Sequence, residues 1–275
     1  MSAPVTAGRR VGHAAPPRRA WVEQLMGMPV SIHLRGEGSR DGEADARVQA
    51  AYDELRAIDV LFSTYRADSH VNRIDRGELA VADAHPLVRE VVDLCETART
   101  LTGGAFDAWR PERGRQGRPR FDPTGLVKGW AVQRAAHHLV AGLDCDVVVN
   151  AGGDVAARTG GAAPQPWRVG IEDPSDPMRV VTVLPLVTGG IATSGTAHRG
   201  AHLADPADGR PVTDLLSVTV TGPSLLWADV LATAAFVRGA DALAVVEAVP
   251  GYEALAVAAD GTRAATEGLV QLPLT

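Results

Sequence analysis

The chain has 275 residues, 45% of them hydrophobic and 22% charged, with a formal net charge of −6 and a pI near 5.7. Such a chain is long enough for a sizeable core, and its acidic balance excludes the basic face that a nucleic-acid binder needs to displace counterions. No apolar run approaches the roughly 18 residues of a membrane span, so no membrane anchor is expected.

The first 20 residues combine arginine and proline without an apolar h-region or a lipoprotein cysteine pattern. They read as a disordered basic tail, and the expected location is cytoplasmic. Residues 21–34 (WVEQLMGMPVSIHL) read as a strand pair, or one strand broken at Gly27. Across 41–62, Val48, Tyr52, Leu55, Ile58 and Phe62 recur at helical spacing. "FSTYRADSHV" (62–71) reads as a turn with Tyr65 beside Arg66. A second helix over 86–102 ends at Gly103-Gly104, a glycine stop signal. "GGAFDAW" (103–109) then pairs aromatic and acidic residues. "WRPERGRQGRPR" (109–120) is a surface loop, and the one candidate for a division into two lobes inside a single domain spanning 21–275.

A third helix opens at Asp122-Pro123-Thr124 and ends near Gly142. Asp122 or Thr124 can cap its free N–H groups. Lys128 is harder to account for. It reads as lying in the first turn, where the helix dipole disfavours a cation, and its presence there calls for an anion. "DCDVVVNAGGDVAARTG" follows as strand, Gly-Gly turn and strand. Further strands are expected near 167–172, 179–187, 202–205 and 215–222, helices over 225–238 and 240–248, and a strand near 253–259. Helices early and late, with consecutive strands between them, make the fold class α+β. Cys95 and Cys145 are the only cysteines, and outside any metal-ligand spacing they read as reduced core thiols.

Three stretches can carry chemistry. "NAGGD" (150–154) follows a strand but lacks the third glycine and the helix of a dinucleotide fingerprint. Alone it is a hairpin turn flanked by Asn150 and Asp154. In "GPSLLWADVLATAAFVRG" (222–239), Asp229 and Thr233 are four apart on one face of an otherwise apolar helix. They are either a partly exposed aspartate with a threonine bonded back to the backbone, or two hard oxygen ligands for Mg²⁺. "GGIATSGTAHRGAHLADPADGRPV" (189–212) is dense in small polar residues and holds His198 and His202, candidates for a base or a phosphate contact.

The ordered set "MGMPV", "FSTYRADS", "GGAFD", "FDPTGLVKGWA", "VNAGGDV", "WRVGIEDP", "IATSG", "HLADPADGRPV" and "ADVLATAAFV" resembles the ApbE family, the FAD:protein FMN transferases. The resemblance implies a mixed α/β fold, with central sheets flanked by helices and a flavin cleft between two lobes. It implies a Mg²⁺-dependent enzyme that splits the FAD pyrophosphate, passes FMN to a Thr or Ser hydroxyl of a target flavoprotein, and releases AMP. Carried over by motif, Asp229 and Thr233 are metal ligands with the backbone carbonyl of Gly125 as a third. The implied FAD contacts are Met26, Tyr65, the run Ala105, Phe106 and Asp107, then Asp122 and Lys128, the turn residues Asn150, Gly152, Gly153 and Asp154, and Ser194. His202 and Asp229 are the implied catalytic residues, His202 as the base beside the reacting phosphate. On this reading the anion that Lys128 calls for is the pyrophosphate.

The chain departs from the family pattern where a longer proline-rich segment is cut to 109–120. It departs again where Thr196-Ala197-His198 follow the Thr-Ser-Gly run, and where Asp208 replaces a threonine. Two other functions share the same residues: hydrolysis of FAD to FMN and AMP with water as nucleophile, and flavin binding or storage without chemistry.

Overall fold

The computed structural model describes residues 15–110, 119–161, 164–196, 213–271 and 273–274. The strand expected near 202–205 and residues His198, His202 and Asp208 lie outside them.

Two strands open the fold, β1 (Arg18–Leu25) and β2 (Met28–Arg35). The chain reverses between them on Met26 and Gly27, whose φ angles are +53° and +75°. A two-residue turn with both φ positive has the twist of a tight hairpin. The helix read over 41–62 is α1 (Gly42–Phe62), and all five of its spaced apolar residues are buried. The turn read over 62–71 continues into a short helix not foreseen, α2 (His70–Arg76), capped when Ser69 accepts from the Asn72 N–H. α3 (Pro86–Leu101) stops at Gly103 and Gly104, both left-handed. β3 (Trp109–Arg110) and β4 (Arg120–Phe121) pair across the proline- and arginine-rich stretch. α4 (Thr124–Val140), β5 (Asp146–Ala151), β6 (Asp154–Arg158), β7 (Trp167–Asp173) and β8 (Asp176–Leu186) match the reading closely.

β9 (Gly189–Gly195) was not read as a strand, because its glycines and small polar residues have low strand propensity. It is held by its neighbours in the sheet, β6 and β10 (Leu215–Gly222). α5 (Leu225–Arg238), α6 (Ala242–Glu247), β11 (Glu253–Ala258) and a last short strand, β12 (Arg263–Ala265), complete the described chain.

The sheet order is β1-β2-β5-β6-β9-β10-β11-β12, antiparallel throughout. Its two faces do different jobs. Val30, Ile32, Val147, Val149, Ala156, Ala192 and Val218 point to one face and pack with α1, α4 and α5. Val148, Val155, Ala157 and Ile191 point to the other, where Ile171, Val181, Leu184 and Leu186 of the β7–β8 ribbon cover them. Central strands buried on both sides explain why β5 reads as a continuous apolar run rather than an alternation. Cys95 and Cys145 are buried free thiols, as expected, and burial pushes their pKa values up to about 12 and about 11.

α5 lies directly on β9. A Cβ at Gly190 would fall 2.3 Å from the Leu225 Cα, so only glycine lets the helix start this close to the sheet. Gly190→Ala is expected to destabilise the fold by about 1–3 kcal/mol or more through overpacking. Gly42→Ala, where a Cβ meets nothing within 4 Å, is the control. It should leave stability unchanged or raise it by up to about 1 kcal/mol. Urea denaturation of both variants checks this.

Candidate functional site

The β1–β2 turn, the β5–β6 turn and the C-terminal end of β9 lie at one end of the sheet. Gly152 N–H donates to the Pro29 carbonyl at 3.3 Å, which seats the β5–β6 turn against β2. Strand pleating decides which side chains enter the space under the helices. Asp154 shares a face with Ala156, and Ser194 shares one with Ala192, so both turn toward α4 and α5. Asn150 pairs with Val155 and points to the opposite face. There its side-chain oxygen accepts from the Gly153 N–H at 3.1 Å and shapes the turn. Of the run 150–154, the structure thus brings the Asp154 side chain to the helices and turns Asn150 away.

α4 and α5 supply the other wall. Asp229 is 3% exposed, and its Oδ2 accepts a 3.0 Å hydrogen bond from the Gly129 backbone N–H. A Cβ at Gly129 would lie 2.9 Å from Asp229 Cβ and 3.0 Å from the Leu225 carbonyl oxygen, so the helices meet at a glycine. Further along the same contact, Gln133 Oε1 accepts from Ser224 Oγ at 2.8 Å and from Leu226 N–H at 3.2 Å. Gln133 against Ser224 and Leu226, then Gly129 against Leu225 and Asp229, sets an antiparallel register that carries Gly125 toward Thr233. In a regular helix the Gly129 N–H serves the Gly125 carbonyl. Sharing that N–H with Asp229 leaves the carbonyl with capacity for another partner.

Of the two readings of Asp229 and Thr233, the partly exposed aspartate with a back-bonded threonine does not hold. Asp229 is buried, and Thr233 Oγ1 lies 3.1 Å from Ser194 Oγ on β9. Lys128 Nζ stands 2.7 Å from Asp154 Oδ2 and 4.0 Å from Asp229 Oδ1. The Asp154 contact is close but off the hydrogen-bonding direction, so that oxygen holds an ion pair without a directed bond. Lys128 is the fifth residue of α4 and falls in the second turn, not the first. The dipole penalty read from the sequence is correspondingly weaker, and the protein itself supplies anions to the lysine.

The remaining expected residues take varied positions. Asp122 is occupied at the helix entrance: its Oδ1 accepts from Thr124 N–H at 3.1 Å and Thr124 Oγ1 at 2.6 Å, and its Oδ2 pairs with Arg110 at 2.8 Å. Phe106 is buried beside Gly125, with Cε2 3.2 Å from where a Cβ would sit. Ala105 is buried next to it, and Asp107 Oδ1 accepts from the Trp109 N–H at 2.8 Å. Met26 is half-buried at the positive-φ position of the first turn. Tyr65 is 98% exposed. Sequence reasoning missed Gly129 and Gln133. The Gly125–Gly129 spacing of four on an apolar helix was the available signal, since small residues at that spacing mark close helix approach.

The arrangement presents hard oxygens and one ammonium in a mostly buried space. Among Lys128, Asp154 and Asp229 the charges sum to −1, the sign that favours a cation. No cluster of three His, Cys, Asp or Glu residues occurs among the described residues. A metal here would therefore draw on hydroxyl, carbonyl and substrate oxygens beside the single carboxylate Asp229. Gly129→Ala is expected to push the helices apart, break the bond to Asp229 and cost about 1–3 kcal/mol. Thermal melts checked against Gly42→Ala measure it.

The ApbE family profile matches residues 26–110 and 112–256. A Salmonella typhimurium protein named FAD:protein FMN transferase is 26% identical over 82% of this chain and 80% of its own length. A Vibrio cholerae protein of the same name is 34% identical over 43% of this chain and 38% of its own. The crystal structure of the ApbE protein of Thermotoga maritima superposes with a TM-score of 0.78 at 23% identity, over 91% of this chain and 97% of that one. The flavin transferase ApbE of Vibrio cholerae gives 0.74 at 23% identity, over 92% and 98%. With the family profile covering most of its length and the same fold in these structures, the chain belongs to the ApbE family.

Proposed function

We propose that this protein transfers the FMN moiety of FAD to a Thr or Ser hydroxyl of a target flavoprotein, releases AMP, and requires Mg²⁺. The observation that carries the reading is the buried Asp229, four residues from Thr233 on one face of α5, with Lys128 opposite. The names of the relatives support flavin transfer as the general activity.

The residues present fit a hard divalent cation. Asp229 and Thr233 offer carboxylate and hydroxyl oxygens, the Gly125 carbonyl is the third oxygen that the family motif implies, and the buried Asp154 Oδ2 adds negative charge. Asp229, Thr233 and Gly125 would hold the ion, which supplies charge neutralisation on the phosphoryl oxygens. Lys128, whose side chain is 17% exposed, would offer its ammonium to a pyrophosphate oxygen. The N-terminal end of α4 adds partial positive charge. Phe106 and Ala105 form a buried apolar wall beside Gly125, and Met26 and the exposed Tyr65 offer further contacts for the flavin ring. In the transfer step the acceptor oxygen bonds to the phosphorus on the FMN side. The bond to the AMP phosphate breaks, and the hydroxyl proton goes to a base. By its motif that base is His202, which lies outside the described residues.

Incubation with FAD, Mg²⁺ and an acceptor flavoprotein tests the proposal, with AMP release followed and the acceptor weighed by mass spectrometry. An acceptor heavier by FMN supports transfer. AMP and free FMN with an unmodified acceptor would mean hydrolysis, and no turnover of FAD would leave a binding protein.

Asp229→Asn keeps an acceptor for the Gly129 N–H and removes the charge. It should lower Mg²⁺-dependent AMP release at least about 100-fold with little change in melting temperature. Asp229→Ala would also break the bond from the Gly129 N–H, at about 1 kcal/mol. A second expectation concerns affinity. Lys128→Ala should weaken FAD binding about tenfold or more, and FMN binding less, because only FAD carries the bridged diphosphate. Calorimetric titration of both flavins decides it, and equal losses would reduce Lys128 to a general anion contact.

A further inference from the structure

A threonine inside a helix commonly bonds its hydroxyl back to the carbonyl four residues earlier. On α5 that carbonyl belongs to Asp229. Thr233 instead pairs across the gap between helix and sheet, its Oγ1 3.1 Å from Ser194 Oγ on β9. Ser194 is 9% exposed, and the strand around it is held from both sides. The Thr193 N–H donates to Asp154 Oδ1 on β6 at 3.3 Å, and Thr193 Oγ1 lies 2.9 Å from Thr219 Oγ1 on β10. Ser194 itself pairs with Val218 in the sheet register, so only rotation of its short side chain could take its oxygen away from Thr233. A hydroxyl carries one proton and two lone pairs, and between two hydroxyls either can donate. A bound cation removes that choice. A threonine oxygen that gives a lone pair to a cation must turn its proton elsewhere, and the proton needs an acceptor. Ser194 Oγ is within reach as that acceptor. Without it the hydroxyl falls back on the Asp229 carbonyl, and the lone pairs of the Thr233 oxygen turn with the proton.

We propose that Ser194 is a positioning residue for the metal: it accepts the Thr233 O–H and so presents a lone pair of the Thr233 oxygen to the cation. The inference rests on Thr233 as a metal ligand, and its test separates the two. Mn²⁺, a paramagnetic substitute for Mg²⁺, is titrated into the purified protein, with free ion followed by electron paramagnetic resonance. The same is done for Ser194→Ala, Thr233→Val and the double variant. Valine keeps the shape of threonine and removes its hydroxyl. Ser194→Ala is expected to weaken Mn²⁺ binding on the order of ten- to a hundred-fold, the usual effect of losing a residue that orients a metal ligand. With the Thr233 hydroxyl gone there is nothing left to orient, so Ser194→Ala should cost less than about threefold in that background. A serine that only supports the strand would give the same factor in both backgrounds. That result, or no loss in the single variant, would overturn the proposal. If Ser194→Ala does not fold, Ser194→Cys takes its place, since a thiol fills the site but accepts weakly, and the same outcomes decide. Two results would instead strike the premise, and the proposal with it. Thr233→Val binding Mn²⁺ as tightly as the unaltered protein would remove Thr233 as a ligand, and absence of Mn²⁺ binding by the unaltered protein would remove Asp229 as well.

Discussion

The hydrogen bond from the Gly129 N–H to Asp229 ties together residues 100 positions apart, and the rest of the site depends on it. A buried carboxylate is costly unless it is bonded or paired. The bond meets part of that cost, fixes which oxygen of Asp229 faces Lys128, and holds two helices at a separation only glycine permits. Lys128 is next to Gly129 in sequence, so the residue that makes the contact also delivers the ammonium to its edge. Gln133, one turn further on, caps the start of α5 through Ser224 Oγ and the Leu226 N–H. One face of α4 thereby fixes where α5 begins and where Asp229 points.

The sheet contributes by alternation. Successive residues of β6 and β9 face opposite layers, so Asp154 and Ser194 reach the helices while Val155 and Thr193 serve the far side. Shifting β6 by one residue would bury valine where the ion pair stands and turn the aspartate onto the β7–β8 ribbon. Gly190 sits at the crossing of these two requirements. It is a residue of β9 and the point where α5 rests on the sheet, so register and helix placement are set together.

Burial and charge then determine what the space can accept. An ammonium stands beside two carboxylates, and the formal charges of the three groups sum to −1. A hard cation and a phosphate-bearing ligand are complementary to that arrangement, because each neutralises what the other adds. This is the physical basis on which the proposed reaction rests, and it requires no metal cluster of the kind built from several His or Cys residues.

Much of the chain was legible in advance. The spacing of Val48, Tyr52, Leu55, Ile58 and Phe62 determined α1, glycine stops determined the ends of α3 and α5, and the apolar run before Gly152-Gly153 determined β5. The Asp229–Thr233 pair was legible too, since a four-residue spacing fixes a common helix face whatever surrounds it. Local rules sufficed there because each depends on the backbone geometry of one element. β9 was not legible, since a strand of glycine and small polar residues is held by its neighbours rather than by its own propensity. The direction of Asn150, the occupied carboxylate of Asp122 and the partner of Lys128 were likewise decided only by the tertiary structure. The sequence reading put Lys128 at the helix entrance and asked for an anion, whereas the lysine stands in the second turn. That Asp154 stands 2.7 Å away follows from strand order and pleat, which bring together residues that no spacing along the chain relates.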